Sequence, residues 1–323
     1  MGIEQDKPVA GSIIDLPNNL DLLNDLRLPR AFSVWTEFKL KHEPKIAAIG
    51  ILPLDQIIAL GDELSASIGQ TIDLEDTTNP RHISEEKMGL LAGAVSGEGN
   101  RLIFMRHGEQ SSPEWISAIP HPGLRKIRMM QNPFNRTGLL TNGGLVDAFV
   151  TALGLLYVQQ VTGKNINLLS SENMRAQQVA KIISTVIPGA NFSTQEGLNC
   201  ITYQDDRSEP ALTAEQLLAY LPSGAIPWNP KLVDRLCKRT SSGLRQSELI
   251  INTVKSLVEV GTEKEDGNNL QIVLTHTQQL AEVLRSRGRL EDPAIRFPEL
   301  TMFILDGFDV HILLGGILET EEI

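Results

Sequence analysis

Two histidines and two arginines of this chain each follow a short apolar run, and their side-chain types suit chemistry at phosphorus. Leu102–Met105 runs into Arg106-His107-Gly108-Glu109, Gln271–Thr275 runs into His276, and Ile166–Leu169 leads through Ser170-Ser171-Glu172 to Arg175. Phosphoryl transfer needs an in-line nucleophile, together with donors that neutralise charge on the equatorial oxygens. A neutral imidazole supplies the first, and guanidinium forks supply the second. Gly108 lets the backbone approach a phosphate with no Cβ in the way. This arrangement calls for no metal and no cofactor, and no carboxylate cluster suggests a metal site.

Those residues become one site only if the runs that carry them are neighbouring strands. From Leu102 onward, short β-rich runs alternate with amphipathic stretches, the pattern of a layered α/β domain. The strands expected are Leu102–Met105, Ile166–Leu169, Asn191–Thr194 and Gln271–Thr275, with a closing hairpin of Leu300–Leu305 and Val310–Leu314 at the sheet edge. The helices expected are Asn142–Val161, Asn173–Val186, Ala214–Tyr220, Leu244–Val260 and Thr277–Arg287, with Thr141 and Asn142 available as caps on the first. Ligands of open α/β sheets bind beyond the carboxyl ends of the strands, which is where the two histidines and two arginines fall. The first hundred residues contain scattered prolines and one clear amphipathic helix, roughly Leu54–Ile68. Residues 1–99 are therefore read as an extension or small accessory region, a lid or a dimer surface, and 100–323 as the main domain.

Composition narrows the function further. With 323 residues the chain can bury a substantial core, and with 2 cysteines it has neither a disulfide framework nor a Cys-rich metal site, as suits a reducing, cytoplasmic setting. A net charge of -11 argues against a nucleic-acid surface, and an aromatic content of 5% argues against base-stacking platforms. Met1–Pro17 lacks the basic start and apolar core of a secretory signal. The longest apolar stretches, such as Ile46–Leu54 and Ala148–Val158, fall short of the roughly 20 residues that cross a bilayer, so no membrane role is expected. Local arginines can still recruit a phosphorylated small molecule or phosphoprotein against an acidic background.

Taken in order, the segments resemble the histidine phosphatase superfamily, in the branch that contains cofactor-dependent phosphoglycerate mutases and their phosphatase relatives. Arg106-His107-Gly108-Glu109 resembles the family's signature at the first strand end, and Leu140-Thr141 through Gly144 and Ala148 its next segment. SSENMRAQQVA at Ser170–Ala180 is similar to the serine-to-arginine stretch, and VLTHTQQL at Val273–Leu280 to the second histidine segment. The resemblance runs from about Asn100 to the end. It implies a three-layer α/β/α fold with a mainly parallel central sheet, a phosphorylated His107, and Arg106, Arg175 and His276 on the phosphoryl oxygens.

The proton donor departs from the family's pattern. Cys200 stands where many relatives carry a glutamate, which leaves Glu196, Asp205 and Asp206 as candidates, with Glu196 the first choice. Thr277, directly after His276, stands where the acid-phosphatase branch has an aspartate, which disfavours that branch. For binding the remainder of a substrate, the candidates are Gly108, Glu109, Arg125, Arg128 and Arg136, the arginines belonging to a flap at His121–Arg136. The expected activity is hydrolysis of a phosphoric monoester or related phosphate through a phosphohistidine. A phosphomutase and a degenerate phosphatase that only binds a phosphorylated ligand are the alternatives.

Overall fold

A computed structural model describes residues 25–74, 84–97, 99–112, 114–131, 137–203, 212–222, 224, 228–262, 268–289, 297–306 and 309–313. Its centre is a six-stranded sheet of β1 (Arg101–Arg106), β2 (Asn165–Ser170), β3 (Asn191–Thr194), β4 (Asn269–Thr275), β5 (Met302–Asp306) and β6 (Asp309–Leu313), in the order β3-β2-β4-β1-β5-β6. The first four strands pair in parallel, and β5 and β6 form the antiparallel edge hairpin. Before β1 lie helices α1 (Arg27–Lys41), α2 (Glu43–Ala47), α3 (Leu54–Thr71) and α4 (Glu85–Val95). Between β1 and β2 lie α5 (Glu114–Ser117), α6 (Pro122–Gln131) and α7 (Asn142–Thr162), and α8 (Met174–Val186) joins β2 to β3. The connection to β4 carries α9 (Ala214–Tyr220), α10 (Pro230–Leu236) and α11 (Gln246–Thr262), and α12 (Thr277–Ser286) follows β4.

The strand side chains alternate between two apolar cores, which makes three layers. Ile103 and Met105 of β1 enter one core with α1, α3, α4, α7 and α8, and Leu102 and Phe104 enter the other with α6 and α9 to α12. Because β1 and β4 are covered on both faces, they read in sequence as nearly unbroken apolar runs.

Helix α7 belongs wholly to the first core. It is buried on nearly every side, from Leu145 and Phe149 through Leu153 and Leu156, because α3 and α4 pack over the face that the sheet and α8 leave open. By length and composition this 21-residue helix is apolar enough to cross a membrane, a longer apolar element than the Ala148–Val158 run suggested, and it is spent on packing inside the protein instead. Thr141 caps it by accepting the Gly144 N–H at 3.0 Å, and Gly163, at φ 68°, ends it in the left-handed conformation that glycine favours. Truncating a side chain such as Leu153, which has 0% exposure, costs about 2–5 kcal/mol.

The segment before residue 99 is more helical than its prolines suggest. Leu28, Ala31, Trp35 and Phe38 recur at helical spacing and are buried, as are Ile57, Leu60, Leu64 and Ile68 of α3. Pro29, Pro44, Pro122 and Pro230 all sit in first turns, where a missing N–H costs nothing.

Candidate active site

Three neighbouring parallel strands end at one level and deliver the predicted residues to one place. Arg106 of β1 is in register with Thr275 of β4, and Ser170 of β2 is in register with Leu274 of β4. The ladder continues one step past the strands, because the His107 N–H donates to Thr275 O at 3.1 Å and the Ser171 N–H to Leu274 O at 2.9 Å. His276 therefore emerges between His107 and Ser171, and the first turn of α8 brings Arg175 over both imidazoles.

Arg175 joins the two rings. Its Nε donates to His107 Nε2 at 2.9 Å and its Nη2 to His276 Nδ1 at 3.2 Å, with the ring centroids 4.8 Å apart. Since a guanidinium only donates, these bonds define both tautomers. His107 keeps its proton on Nδ1 and donates it to Gly108 O at 2.5 Å, leaving the lone pair on Nε2. His276 carries its proton on Nε2 and donates to Ser171 Oγ at 2.9 Å.

Ser171 was not singled out by sequence reasoning, although it lies within the quoted SSENMRAQQVA stretch. Its hydroxyl also accepts the Asn173 N–H at 3.0 Å, so its own proton is left for the amide oxygen of Asn173 at 2.9 Å or of Asn199 at 3.2 Å. Asn199 in turn holds the Glu172 N–H at 2.7 Å, and Asn173 Nδ2 donates to Cys200 Sγ at 3.0 Å. The network is closed beneath the rings, which fixes the His276 tautomer from below.

The electrostatics follow from burial among cations. Burial first, then the charges of Arg175, His276 and Arg106, hold the His107 imidazole well below its usual pKa, with the Gly108 carbonyl pulling the other way. Burial, then Arg175 and Arg106, does the same for His276. Arg175 is itself buried, which lowers its pKa, and the adjacent Cys200 sulfur opposes that shift. Arg106 donates to Phe297 O and pairs through Nη2 with Glu299 at 2.9 Å. The loop that supplies these partners carries Leu300 at φ 57°, a left-handed backbone uncommon for leucine, from which its N–H donates to His107 O at 3.4 Å.

His107, Arg106, Arg175 and His276 open onto a cleft of about 760 Å³. Glu109 and Arg125 also line it, Glu109 accepting from Thr141 Oγ1 at 2.7 Å and Arg125 donating from Nε and Nη2 to Ile119 O at 3.1 and 2.9 Å. Gly108 sits in close packing, where a Cβ would lie 3.2 Å from Leu140 and 3.3 Å from Gly144 O. Arg128 does not line the cleft and pairs with Glu215 at 3.7 Å instead. Arg136, Asp205 and Asp206 fall outside the described residues.

Glu196, expected as the proton donor, is turned away. It opens the short 3-10 turn Glu196–Leu198, and its carboxylate takes the Ser241 N–H at 2.8 Å and the Ser241 hydroxyl, so it is not among the residues lining the cleft. Cys200 and Tyr203, further along the same segment, do line it. The flap expected at His121–Arg136 is, as far as it is described, the helix α6 with Ile127 in the second core. Among the described residues, no group of three or more His, Cys, Asp or Glu side chains is arranged to hold a metal ion.

No protein-family model matches the chain, and no curated protein matches it either. Solved structures are similar to it at low identity. A mycobacterial glucosyl-3-phosphoglycerate phosphatase is 16% identical, with 68% of this chain and 99% of that one covered at a TM-score of 0.43. A phosphoserine phosphatase from Entamoeba histolytica is 19% identical over 68% of this chain and 98% of its own, with a TM-score of 0.39. A phosphoglycerate mutase from Bacillus anthracis is 14% identical over 69% and 96%, with a TM-score of 0.41.

Proposed function

We propose that this protein is a phosphatase of the histidine phosphatase type, which takes a phosphoryl group onto His107 Nε2 and passes it to water without a metal. One observation carries the reading: a single guanidinium, Arg175, touches the lone-pair nitrogens of both buried imidazoles. In the first step the Nε2 lone pair attacks phosphorus, and the bond to the leaving oxygen breaks with its electron pair. Arg175 and Arg106 hold the equatorial oxygens, while His276, braced by Ser171, keeps the Arg175 plane in position. In the second step water attacks phosphorus, the P–N bond returns its electrons to Nε2, and inorganic phosphate leaves. The proton stays on Nδ1, hydrogen-bonded to Gly108 O, throughout, which steers the attack to the other nitrogen.

Leaving-group basicity is the weak point of this site. A carboxylic acid is commonly worth roughly a hundredfold to ten-thousandfold, and Cys200 occupies the place of that acid. Acyl phosphates, phosphoramidates, anhydrides and aryl esters, which depart with little protonation, are therefore favoured over alkyl phosphates. Rapid acid and base quench after mixing with an aryl phosphate tests the mechanism: the expected result is acid-labile, base-stable phosphate on His107, with turnover abolished in His107→Ala. Full turnover in that variant would overturn it. Phosphate binding without turnover would favour a non-catalytic binder, which the Cys200 substitution also suits. Release of little inorganic phosphate would favour a phosphomutase.

A further inference from the structure

We propose that helix α6 is the leaving-group wall of the cleft and that it selects an aryl phosphate bearing a second anionic group. The inference rests on the phosphatase reading above and names the substrate class of the same site. Pro122, Arg125, Lys126, Met129 and Met130 are the α6 residues that line the cleft, and their spacing of three, four, seven and eight positions from Pro122 marks a single helical face.

The adjoining face is anchored. Ile127, at 0% exposure, is part of the second core, and Leu124 and Met130 pack against that core. A Cβ on Gly123 would lie 2.1 Å from Pro222 O, and one on Gly224 would lie 2.3 Å from Gly123 O, so the helix is seated directly on the segment that follows α9. A wall held this way presents its cleft face in one fixed orientation.

That face divides by chemistry along its length. Arg125 and Lys126 bring positive charge to the cleft of a protein whose net charge is -11, beyond the two arginines committed to the phosphoryl group. Arg125 is fixed there by its two bonds to Ile119 O. One turn on, Met129 and Met130 offer unbranched, polarisable thioethers, which suit the face or edge of an aromatic ring. The turn separates the two patches by about 5–6 Å, close to the length of a substituted benzene ring. A phenol also leaves as a stabilised anion, as the Cys200 position requires.

Three probes test this with the full-length protein: phenyl phosphate, 4-(carboxymethyl)phenyl phosphate and 4-(aminomethyl)phenyl phosphate, whose methylene spacer keeps leaving-group basicity similar. The expected kcat/KM is about tenfold higher for the carboxymethyl probe than for phenyl phosphate, the scale of one charge-assisted contact, and lower for the aminomethyl probe. In Arg125→Gln/Lys126→Gln the ratio between the two charged probes falls towards one, and Met129→Ser raises KM for all three. Equal kcat/KM for the three probes in the unmodified protein, or an unchanged ratio in the double variant, would overturn the assignment of α6 while leaving the phosphatase reading intact. Failure of every aryl phosphate to turn over, with no phosphate trapped on His107, would instead remove the reading on which it rests.

Discussion

Asp25 lies far from the cleft in sequence, yet its removal should loosen the segments that hold the cleft together. Its carboxylate accepts four hydrogen bonds, three from Arg27 (backbone N–H, Nε and Nη2, at 3.1, 2.8 and 2.8 Å) and one from Gln178 Nε2 at 2.7 Å. Arg27 also donates to Leu140 O at 2.8 Å and Asn142 Oδ1 at 2.9 Å, and Gln178 Oε1 accepts the Leu140 N–H at 2.7 Å. Gln178 lies three residues beyond Arg175, and Leu140 bridges to Gln110 beside the His107 loop, so one carboxylate ties α1, α7, α8 and that loop together. Asp25→Ala strands a buried partner, a change that costs roughly 3–5 kcal/mol when both members are dry. Arg27 is 26% exposed and recovers some hydration, so about 3 kcal/mol is expected. For a chain of 323 residues that lowers Tm by roughly 4–5 °C.

The pH dependence gives this prediction a sharper form. Burial raises the Asp25 pKa, but the hydrogen bonds and charge of Arg27, with Gln178, more than reverse this and leave it below its usual value. A carboxyl with a depressed folded pKa contributes stability that is present above its unfolded pKa of about 3.9 and lost as pH falls through the lower folded value. Thermal melts of the unmodified protein and Asp25→Ala from pH 7 down to about pH 2.5 should therefore keep a constant gap to about pH 4 and close only below it. Coincident melts at pH 7, or a gap that is unchanged at the lowest pH, would refute the reasoning.

Four further outcomes follow from the site. Arg175→Lys loses the fork that spans both imidazoles and should lower kcat/KM for an aryl phosphate by roughly a hundredfold to a thousandfold, with the melt little changed. The unfolded chain takes up protons on His107 and His276 below about pH 6.5 whereas the native pocket holds both neutral, so stability present above that pH is lost on acidification; His276→Gln should flatten the fall of Tm below pH 6.5. In Gly144→Ala the new Cβ would lie 2.7 Å from Glu109 O and displace the His107 loop, raising the concentration of inorganic phosphate needed for half-saturation in calorimetry and costing about 1–3 kcal/mol in a denaturant melt. Cys200→Asp should speed alkyl phosphate hydrolysis by about a hundredfold and leave aryl phosphates nearly unchanged, as measured by phosphate release.

The part of the fold that sequence conveys best is the sheet after residue 100, and the reason is its burial. Strands covered on both faces appear as short apolar runs, and LIFM and IVLT mark β1 and β4, whereas β2 shows instead as an alternation, with Asn165 and Asn167 exposed and Ile166 and Leu168 buried. His107, Arg175 and His276 follow those strand ends directly, so their convergence could be anticipated from a parallel sheet. The N-terminal helices were harder to read because Pro29 and Pro44 look like interruptions, although proline is tolerated in first turns. Helix α4 hides for another reason: Gly89 and Gly93 weaken its periodicity, and its burial depends on α7 and the far edge of the sheet. Contacts across long sequence separations left no local trace. Glu196 is taken by Ser241, Arg106 by Glu299, and Asp25 reaches Gln178, and none of these pairings follows from spacing. Helix α6 could have been found, since its cations and methionines recur at helical spacing, but its run of charges resembles a solvated segment.

The wiring of the pocket also bears on how it discriminates among electrophiles. Both imidazoles are already engaged at each nitrogen: Arg175 holds both rings, His107 Nδ1 holds Gly108 O, and His276 Nε2 holds Ser171. The lone pair on His107 Nε2 is capped by the Arg175 Nε–H, so in the proposed mechanism the nucleophile is released only when a better acceptor draws that N–H away. A phosphoryl oxygen is such an acceptor, because a charged oxygen forms the stronger bond to a guanidinium in a dry site. Binding the phosphate and freeing the nucleophile then become a single exchange. A neutral electrophile with no oxygen for Arg175 leaves the lone pair occupied, even where it fits the cleft. The burial and the neighbouring cations that lower both imidazole pKa values serve the same end, since a protonated His107 would have no lone pair to release.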